Sequence, residues 1–333
     1  MPHSELNEAE RPVQLRFSFS GLACPALIAA IVLSLHARWD ALPNRFPMAP
    51  RTVALHAKPI TLEPAAARPI RIAGAWTLTV PDPRFGGLSA PAIDRGQLLA
   101  LSDSAVLYRF SPPGMGPRDR SPTITIAELP DGPGSPSLKV DHDSESLARD
   151  PGGHGWWIGF EMNNQLWHYD NDVKRSLDRI DFGVERWLQI LGLEVMLAGA
   201  GGRFLLVPEL AHEVVTVSAN HAASHPITGV GSKISDAVRL PDGEIIVLLR
   251  DYGLAGLRTA FEVLVDTPEV CWVERCVPLR LGLFRNFDEM TAQPLPSGGG
   301  TRLWPVTDDN FQLPMATDLF ALGVPPGRWR GAD

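Results

Sequence analysis

Cysteine is scarce in this 333-residue chain, which has only Cys24, Cys271 and Cys276. With just two of these close together and no clustered histidine, a structural zinc site is excluded. Basic charge is also in short supply: 30 Lys and Arg stand against 38 Asp and Glu, a formal net charge of −8. Without a basic stripe to displace counterions, nucleic acid is excluded as a partner. Long amphipathic helical patterns are scarce, the best being Val184–Leu191. No G-x-S-x-G elbow exists, and Gly229-Val230-Gly231-Ser232-Lys233 lacks the four-residue spacer of a phosphate loop.

Turn formers are plentiful, with 30 Gly and 31 Pro. The stretch from Asp143 to Asp170 shows how they are used. Glu145 enters a short apolar step, Pro151-Gly152-Gly153 makes a turn, and Trp156–Phe160 runs to a second acid, Glu161. A polar turn at Asn163-Asn164 and the run Leu166–Tyr169 follow. Aromatic and β-branched runs between such turns read as antiparallel strands. The arrangement recurs from Glu194 to Glu209, from Asp236 to Asp251, and from Asp288 to Asp308 and Asp309. Upstream, Gly86–Ser89 fills the first slot without an acid, and Gln97–Ser102 runs to Asp103. The second-slot acids Asp103, Glu161, Glu209, Asp251 and Asp308 are 58, 48, 42 and 57 residues apart. Repeats of that size with several strands each predict an all-β fold, a β-propeller of five or six blades.

Organisation along the chain follows. Arg11 and Arg16 precede an uncharged run of 19 residues, Phe17–Leu35. A basic flank and an apolar core of that length predict an N-terminal signal or membrane-anchor helix within residues 1–37. Residues 38–68 read as a Pro-rich linker, 69–325 as the propeller and 326–333 as a tail. Within the propeller, Arg71–Val80 is expected to be the first strand and Thr317–Gly323 its C-terminal partner, closing the ring and removing its edges. Cys271 and Cys276 would meet if a hairpin lies between them, or remain two thiols if it does not.

The first-slot acids Glu145, Glu194, Asp236 and Asp288 would ring one mouth of the central channel if they start the innermost strands. Carboxylates so close raise one another's pKa unless a cation compensates, and hard oxygen ligands suit Ca²⁺. The alternative for each acid is a turn cap that accepts backbone N–H groups.

Several segments resemble the phytase-like family, exported bacterial β-propellers described by an esterase-like activity of phytase. They are Arg84–Ala90, Leu98–Asp103, Asp143–Ala148, Trp157–Glu161, Ser235–Gly243 and Arg285–Phe311. The block TRLWPVTDDNF ending at Phe311 is the most specific, and the resemblance spans residues 70–322. It implies a calcium-dependent hydrolase of phosphate or carboxylate esters, with Glu145, Asp288, Asp308 and Asp309 on the family's acidic positions. Ser146 and Glu289 depart from it by standing where the family has Gly after the acid.

The expectation is an exported, periplasmic or membrane-anchored propeller acting on an anionic small-molecule ester. The metal ligands would be drawn from Glu145, Glu194, Asp236, Asp288, Asp308 and Asp309. Glu145, Glu161 and Asp288 are catalytic candidates, with Arg84, Arg250 and Arg285 as clamps for phosphate or carboxylate oxygens or, alternatively, as acid-paired structural residues. The alternative function is a non-catalytic module binding a protein or glycan of the cell envelope. If Phe17–Leu35 anchors the chain, the full-length protein will sediment with membranes and resist carbonate extraction, whereas recovery in the cytosolic fraction removes the export argument.

Overall fold

The computed structural model describes residues 48–62, 70–115, 121–136, 138–182, 193–199, 201–208, 213–218, 221–228, 233–253, 256–266, 271–279, 285–309, 311 and 315–326. The expected N-terminal signal or anchor, the helix at 184–191 and most of the tail lie outside these residues. No described helix is long and apolar enough to cross a membrane.

Five four-stranded antiparallel blades form the fold. Blade 1 is β4 (Leu88–Asp94), β5 (Gln97–Ser102), β6 (Val106–Phe110) and β7 (Thr123–Glu128), and blade 2 is β8 (Ser144–Arg149), β9 (Trp156–Phe160), β10 (Gln165–Tyr169) and β11 (Ser176–Asp181). Blade 3 is β12 (Leu193–Ala198), β13 (Phe204–Pro208), β14 (Glu213–Ser218) and β15 (His221–Thr228), and blade 4 is β16 (Lys233–Arg239), β17 (Ile245–Gly253), β18 (Gly256–Asp266) and β19 (Cys271–Leu279). Blade 5 is β20 (Phe287–Pro294), β21 (Thr301–Thr307), β22 (Asp318–Val324) and, from the other end of the chain, β3 (Arg71–Thr79). The innermost strands β4, β8, β12, β16 and β20 abut one another in a closed ring.

The second strand of each blade shows why the ring forms. The cores of these strands, Leu98–Leu101 and Ile245–Leu249, are unbroken apolar runs rather than alternating ones, the pattern of a strand covered on both faces. Leu98 and Ala100 of β5 pack toward blade 5, while Leu99 and Leu101 pack toward blade 2. Ile246 and Leu248 of β17 likewise face blade 5, and Ile245, Val247 and Leu249 face blade 3. The hydrophobic core is thus five separate clusters, one in each gap between neighbouring blades.

Closure occurs where the sequence pattern placed it. Strand β22 pairs antiparallel with β3, from Asp318↔Thr77 to Gly323↔Arg71. Asp318 accepts a hydrogen bond from Thr77 Oγ1 at 2.7 Å across this seam and another from Arg285 Nε, just before β20, at 2.8 Å. The stretch expected to be linker contains two strands, β1 (Arg51–Ala54) and β2 (His56–Pro59). Strand β1 extends blade 1 beyond β7, and β2 extends blade 5 beyond β3. Leu55 between them is buried with Leu78, Tyr108 and Trp304, so this segment straps the junction of first and last blades. Between blades 3 and 4, β15 and β19 meet in a two-residue parallel ladder.

The cysteine hairpin does not form, because Cys271 and Cys276 both lie on β19. Five residues of extended chain separate their Cα atoms by about 16 Å, far beyond disulfide reach. Leu55→Ala should cost about 2–5 kcal/mol, the range for a buried leucine whose cavity cannot collapse. Urea denaturation will read it, and an unchanged midpoint would mean that the strap is not part of the cooperative fold.

Candidate functional site

Each innermost strand begins with the same irregularity. The ladder to the second strand slips by one residue at Ser89 in β4, Glu145 in β8, Glu194 in β12, Ser235 in β16 and Asp288 in β20. A β-bulge leaves one residue unpaired and re-aims its side chain. Repeated five times around a ring, it collects five such residues at one mouth of the channel. The positions just after the bulges are Ala90, Ser146, Val195, Asp236 and Glu289. Asp236 therefore lies one step deeper than expected, beside Glu289, and Ser235 takes the mouth position. The second-slot acids Asp103, Glu161 and Asp308 each directly follow the second strand of a blade.

Among the described residues, the trio of carboxylates whose oxygens lie within 4.8 Å of one another is Asp143, Glu145 and Glu161. Glu145 reaches it from the bulge, Glu161 from the end of β9, and the Glu161 amide donates to the Asp143 carbonyl at 2.9 Å. Burial, then Asp143 and Glu194, push the Glu145 carboxyl well above the usual carboxylate range. Glu145 is half-buried, so water screens these charges poorly. Lys139, on the turn Lys139–Asp141, is the compensating cation, with Nζ 2.9 Å from Asp143 Oδ1 and 3.2 Å from Asp103 Oδ2. Burial alone would lower the Lys139 pKa, but Asp103 and Asp143 reverse the sign and hold it raised. Glu194 Oε1 is 3.1 Å from Lys233 Nζ.

Deeper in the channel, Asp236 and Glu289 form a carboxyl pair between blades 4 and 5. Asp236 is 7% exposed and Glu289 3%. Asp236 accepts from its neighbour's amide, Ala237 N, at 2.6 Å, and from Met290 N of β20 at 2.6 Å. Glu289 adds a side-chain hydrogen bond to Asp236. Burial pushes the Asp236 carboxyl up to about 8, partly offset by the Met290 and Ala237 amides and Glu289. Burial, then the charge of Asp236, pushes Glu289 well above its ordinary value. Of the two, Asp236 is better placed to carry the charge, because its oxygens receive the backbone N–H groups.

Other expected site residues are engaged elsewhere. Asp288 is held by the Arg250 guanidinium and the Asn286 side-chain amide, and Arg250 Nη1 donates to Asn286 Oδ1 at 2.8 Å. Asp309 receives Gly87 N at 2.9 Å and Phe311 N at 3.1 Å on Oδ1, and Thr317 Oγ1 at 2.8 Å on Oδ2. That carboxylate locks the loop after β21 onto the Gly86-Gly87 turn. Gly87 has φ +56, and a Cβ there would lie 2.5 Å from the Phe311 ring and 2.6 Å from Asp103 Oδ1. Asp308 follows β21, and its amide donates to the Asn286 carbonyl at 2.9 Å. Arg84 forks onto Asp82 at 3.0 and 2.9 Å, and Arg285 binds Asp318, so these arginines, with Arg250, are acid-paired rather than open clamps. Ser89 Oγ donates to the Ser144 carbonyl at 2.5 Å, tying blade 1 to blade 2. The sequence reading missed Asp143 and Lys139 as parts of the mouth. The run Asp143-Ser144-Glu145 was the available signal, since it places one acid just before the bulge and one on it.

A family profile described as "Phytase-like: Esterase-like activity of phytase" matches residues 83–311. No curated protein matches the sequence. Among solved structures, a putative gluconolactonase aligns at 12% identity over 85% of this chain and 95% of that one, with a TM-score of 0.46. The PQQ-bound aldose sugar dehydrogenase of Streptomyces coelicolor aligns at 11% identity over 84% and 99%, with a TM-score of 0.45. Hydrazine synthase of Kuenenia stuttgartiensis aligns at 10% identity over 70% of this chain, with a TM-score of 0.39, and the match spans 59% of that chain.

The carboxyl pair has a measurable signature. Between the ordinary value of 3.8 and the folded value of about 8, native Asp236 binds more proton than the unfolded chain. Stability attributable to it is therefore present at low pH, falls as pH rises through that window and levels off above it. Glu289→Gln keeps a hydrogen-bond donor for Asp236 and removes one ionisation, so its urea midpoint will fall less between pH 5 and 9 than that of the parent. Equal slopes would show that the pair does not share a proton.

Proposed function

The chain belongs to the phytase-like family, and from that premise we propose that it is a Ca²⁺-assisted hydrolase of phosphate or carboxylate esters. The observation that carries this reading is the convergence of Asp143, Glu145 and Glu161 at the mouth of the five-bladed ring. Three carboxylates on a half-buried site are a hard-oxygen donor set that fits Ca²⁺, completed by carbonyls or water. The raised pKa of Glu145, caused first by burial and then by Asp143 and Glu194, supports the fit, because a bound cation would offset both. A bound divalent cation supplies the charge that attracts an anionic ester and polarises it. Lys139, fixed by Asp103 and Asp143, limits how far the carboxylates can spread. Asp288, Asp309 and the three acid-paired arginines shape the walls of the mouth rather than contact the ester. We place the protein outside the cytoplasm, on the basis of the apolar run Phe17–Leu35. The substrate class is a small anionic ester.

A second reading, a non-catalytic module that binds a cell-envelope protein or glycan, is favoured by one observation. Arg84, Arg250 and Arg285 are all committed to internal acids.

A cation that binds only the folded state stabilises it by about 2.7 kcal/mol at a hundredfold excess over Kd. Added Ca²⁺ will therefore raise the melting temperature by about 4–5 °C for a chain of this size, and EDTA will reverse it. Glu145→Gln will abolish that response and, without metal, leave stability equal or higher by relieving carboxylate repulsion. A panel of chromogenic phosphate and carboxylate esters with and without Ca²⁺ separates the two readings. A Ca²⁺-induced shift without turnover of any ester favours the binding module, and no shift at all removes the metal site.

A further inference from the structure

Two short segments beside the carboxylate trio have their polarity reversed. On the turn Lys139–Asp141, the charged Lys139 side chain is 8% exposed, while its apolar neighbours Leu138 and Val140 are 47% and 51% exposed. At the end of β9, Glu161 joins the trio and Met162, the next residue, is 54% exposed. A surface turn ordinarily does the opposite, leaving charge in water and apolar groups under cover. Leu138, Val140 and Met162 are three of the six large apolar side chains exposed among the described residues. The other three are scattered, Met48 before β1, Met115 after β6 and Leu177 on β11. The two reversed segments are also tied together. Asn163 Nδ2 donates to the Asp141 carbonyl at 3.0 Å, and the Glu161 amide to the Asp143 carbonyl at 2.9 Å. Three apolar groups thus stand on one side of the mouth, each next in sequence to Lys139 or Glu161.

The cations around them are already matched. Lys139 lies against Asp143 and Asp103, Lys233 against Glu194, Arg250 against Asp288, Arg84 against Asp82 and Arg285 against Asp318. An anionic group of a ligand is therefore held at one place, by the cation that the trio is fitted to bind. A second anionic group would meet carboxylates or the apolar side chains, and would lose its water without a counter-charge. An apolar remainder would instead cover Leu138, Val140 and Met162 and remove them from water.

We propose that the site selects esters with a single anionic group and an apolar alkyl or aryl remainder, and that Leu138, Val140 and Met162 form the rim that receives the remainder. The proposal rests on the hydrolase reading and narrows its substrate class: monoesters of apolar groups are preferred over polyphosphorylated or sugar-like ones. The occupant of the rim is the ligand itself rather than a bilayer, because the acids around the rim repel the anionic headgroups of a membrane surface.

Isothermal titration of the Ca²⁺-loaded full-length chain with methyl, butyl and hexyl phosphate tests it. Affinity should rise about twofold with each methylene, below the roughly fourfold of complete burial, because the rim covers one side of the chain. Butyl phosphate should therefore bind about eightfold more tightly than methyl phosphate. Glycerol 1-phosphate and butane-1,4-diol bisphosphate should both bind more weakly than butyl phosphate. Leu138→Gln, Val140→Thr and Met162→Gln combined, all on exposed side chains, should reduce the butyl-to-methyl ratio to about two, and Met162→Gln alone should lower it about twofold. The Ca²⁺-induced rise in melting temperature, measured on each variant, reports that the fold and the cation site are intact. A flat alkyl series in the parent, or a series equally steep in the variants, overturns the proposal and leaves the metal site standing. Tighter binding of the bisphosphate overturns it as well. Absence of the Ca²⁺ shift in the parent removes the hydrolase reading and this proposal with it. A flat alkyl series with Ca²⁺-independent retention on phosphatidylcholine vesicles, lost in the triple variant, would make the rim a membrane contact instead.

Discussion

Every blade of this molecule is apolar on both faces, and no blade can cover itself. That constraint governs the rest. A sheet with one wet face can stop growing, but one with two dry faces needs a neighbour on each side. Five blades meet that need only by returning to the first, which is why the core is divided into five clusters rather than gathered at a centre. The centre is left as a channel, and polar chemistry collects there because it is the one interior region that apolar packing does not claim.

The bulges turn that space into a charged one. A single extra residue at the head of each innermost strand frees a side chain from the ladder and points it at the mouth. Carboxylates held this way repel one another, and burial deepens the cost. The fold offsets it by three means: lysines drawn inward, as with Lys139 and Lys233; an arginine locked onto Asp288; and a hydrogen bond between the carboxyls of Asp236 and Glu289, whose pKa values burial raises. Well-solvated surface acids would need none of these. The mouth is therefore a region where stability has been given up for charge density, as expected of a binding site.

Much of the ring was legible in the sequence. Second strands such as Gln97–Ser102 and Phe204–Pro208 read as unbroken apolar runs ending in an acid, and the partnership of β3 with β22 followed from the need to close. The site was legible only in part. A one-residue bulge leaves no mark in hydropathy, so Asp236 was assigned to the mouth when Ser235 holds that position. Glu145 and Glu161 were found because they recur at fixed slots, but Asp143 and Lys139 sit on the irregular segment before β8, where no period points to them. The roles of Arg250 and Arg285 depend on contacts with residues 38 and 33 positions away, which spacing cannot reveal. The β1–β2 strap escaped notice because Pro residues around it mimic a linker, and Cys271 and Cys276 because nothing local marks the strand that separates them.

The pairing of β3 with β22 also sets an order of events. Strand β3 is the first long strand of the propeller to leave the ribosome, and its partner is the last. Until β22 arrives, one flank of β3 has no backbone partner and the gap between blades 5 and 1 has no floor. Contacts of such long sequence separation form late, after loop-closure entropy has been met. The nascent chain must therefore pass through a period with four blades able to assemble and a waiting strand exposed at the edge. During that interval the same edge invites pairing with another chain. Whatever slows synthesis between β21 and β22 prolongs the exposure, so the codons of that stretch carry a leverage over yield that nothing in the finished ring betrays.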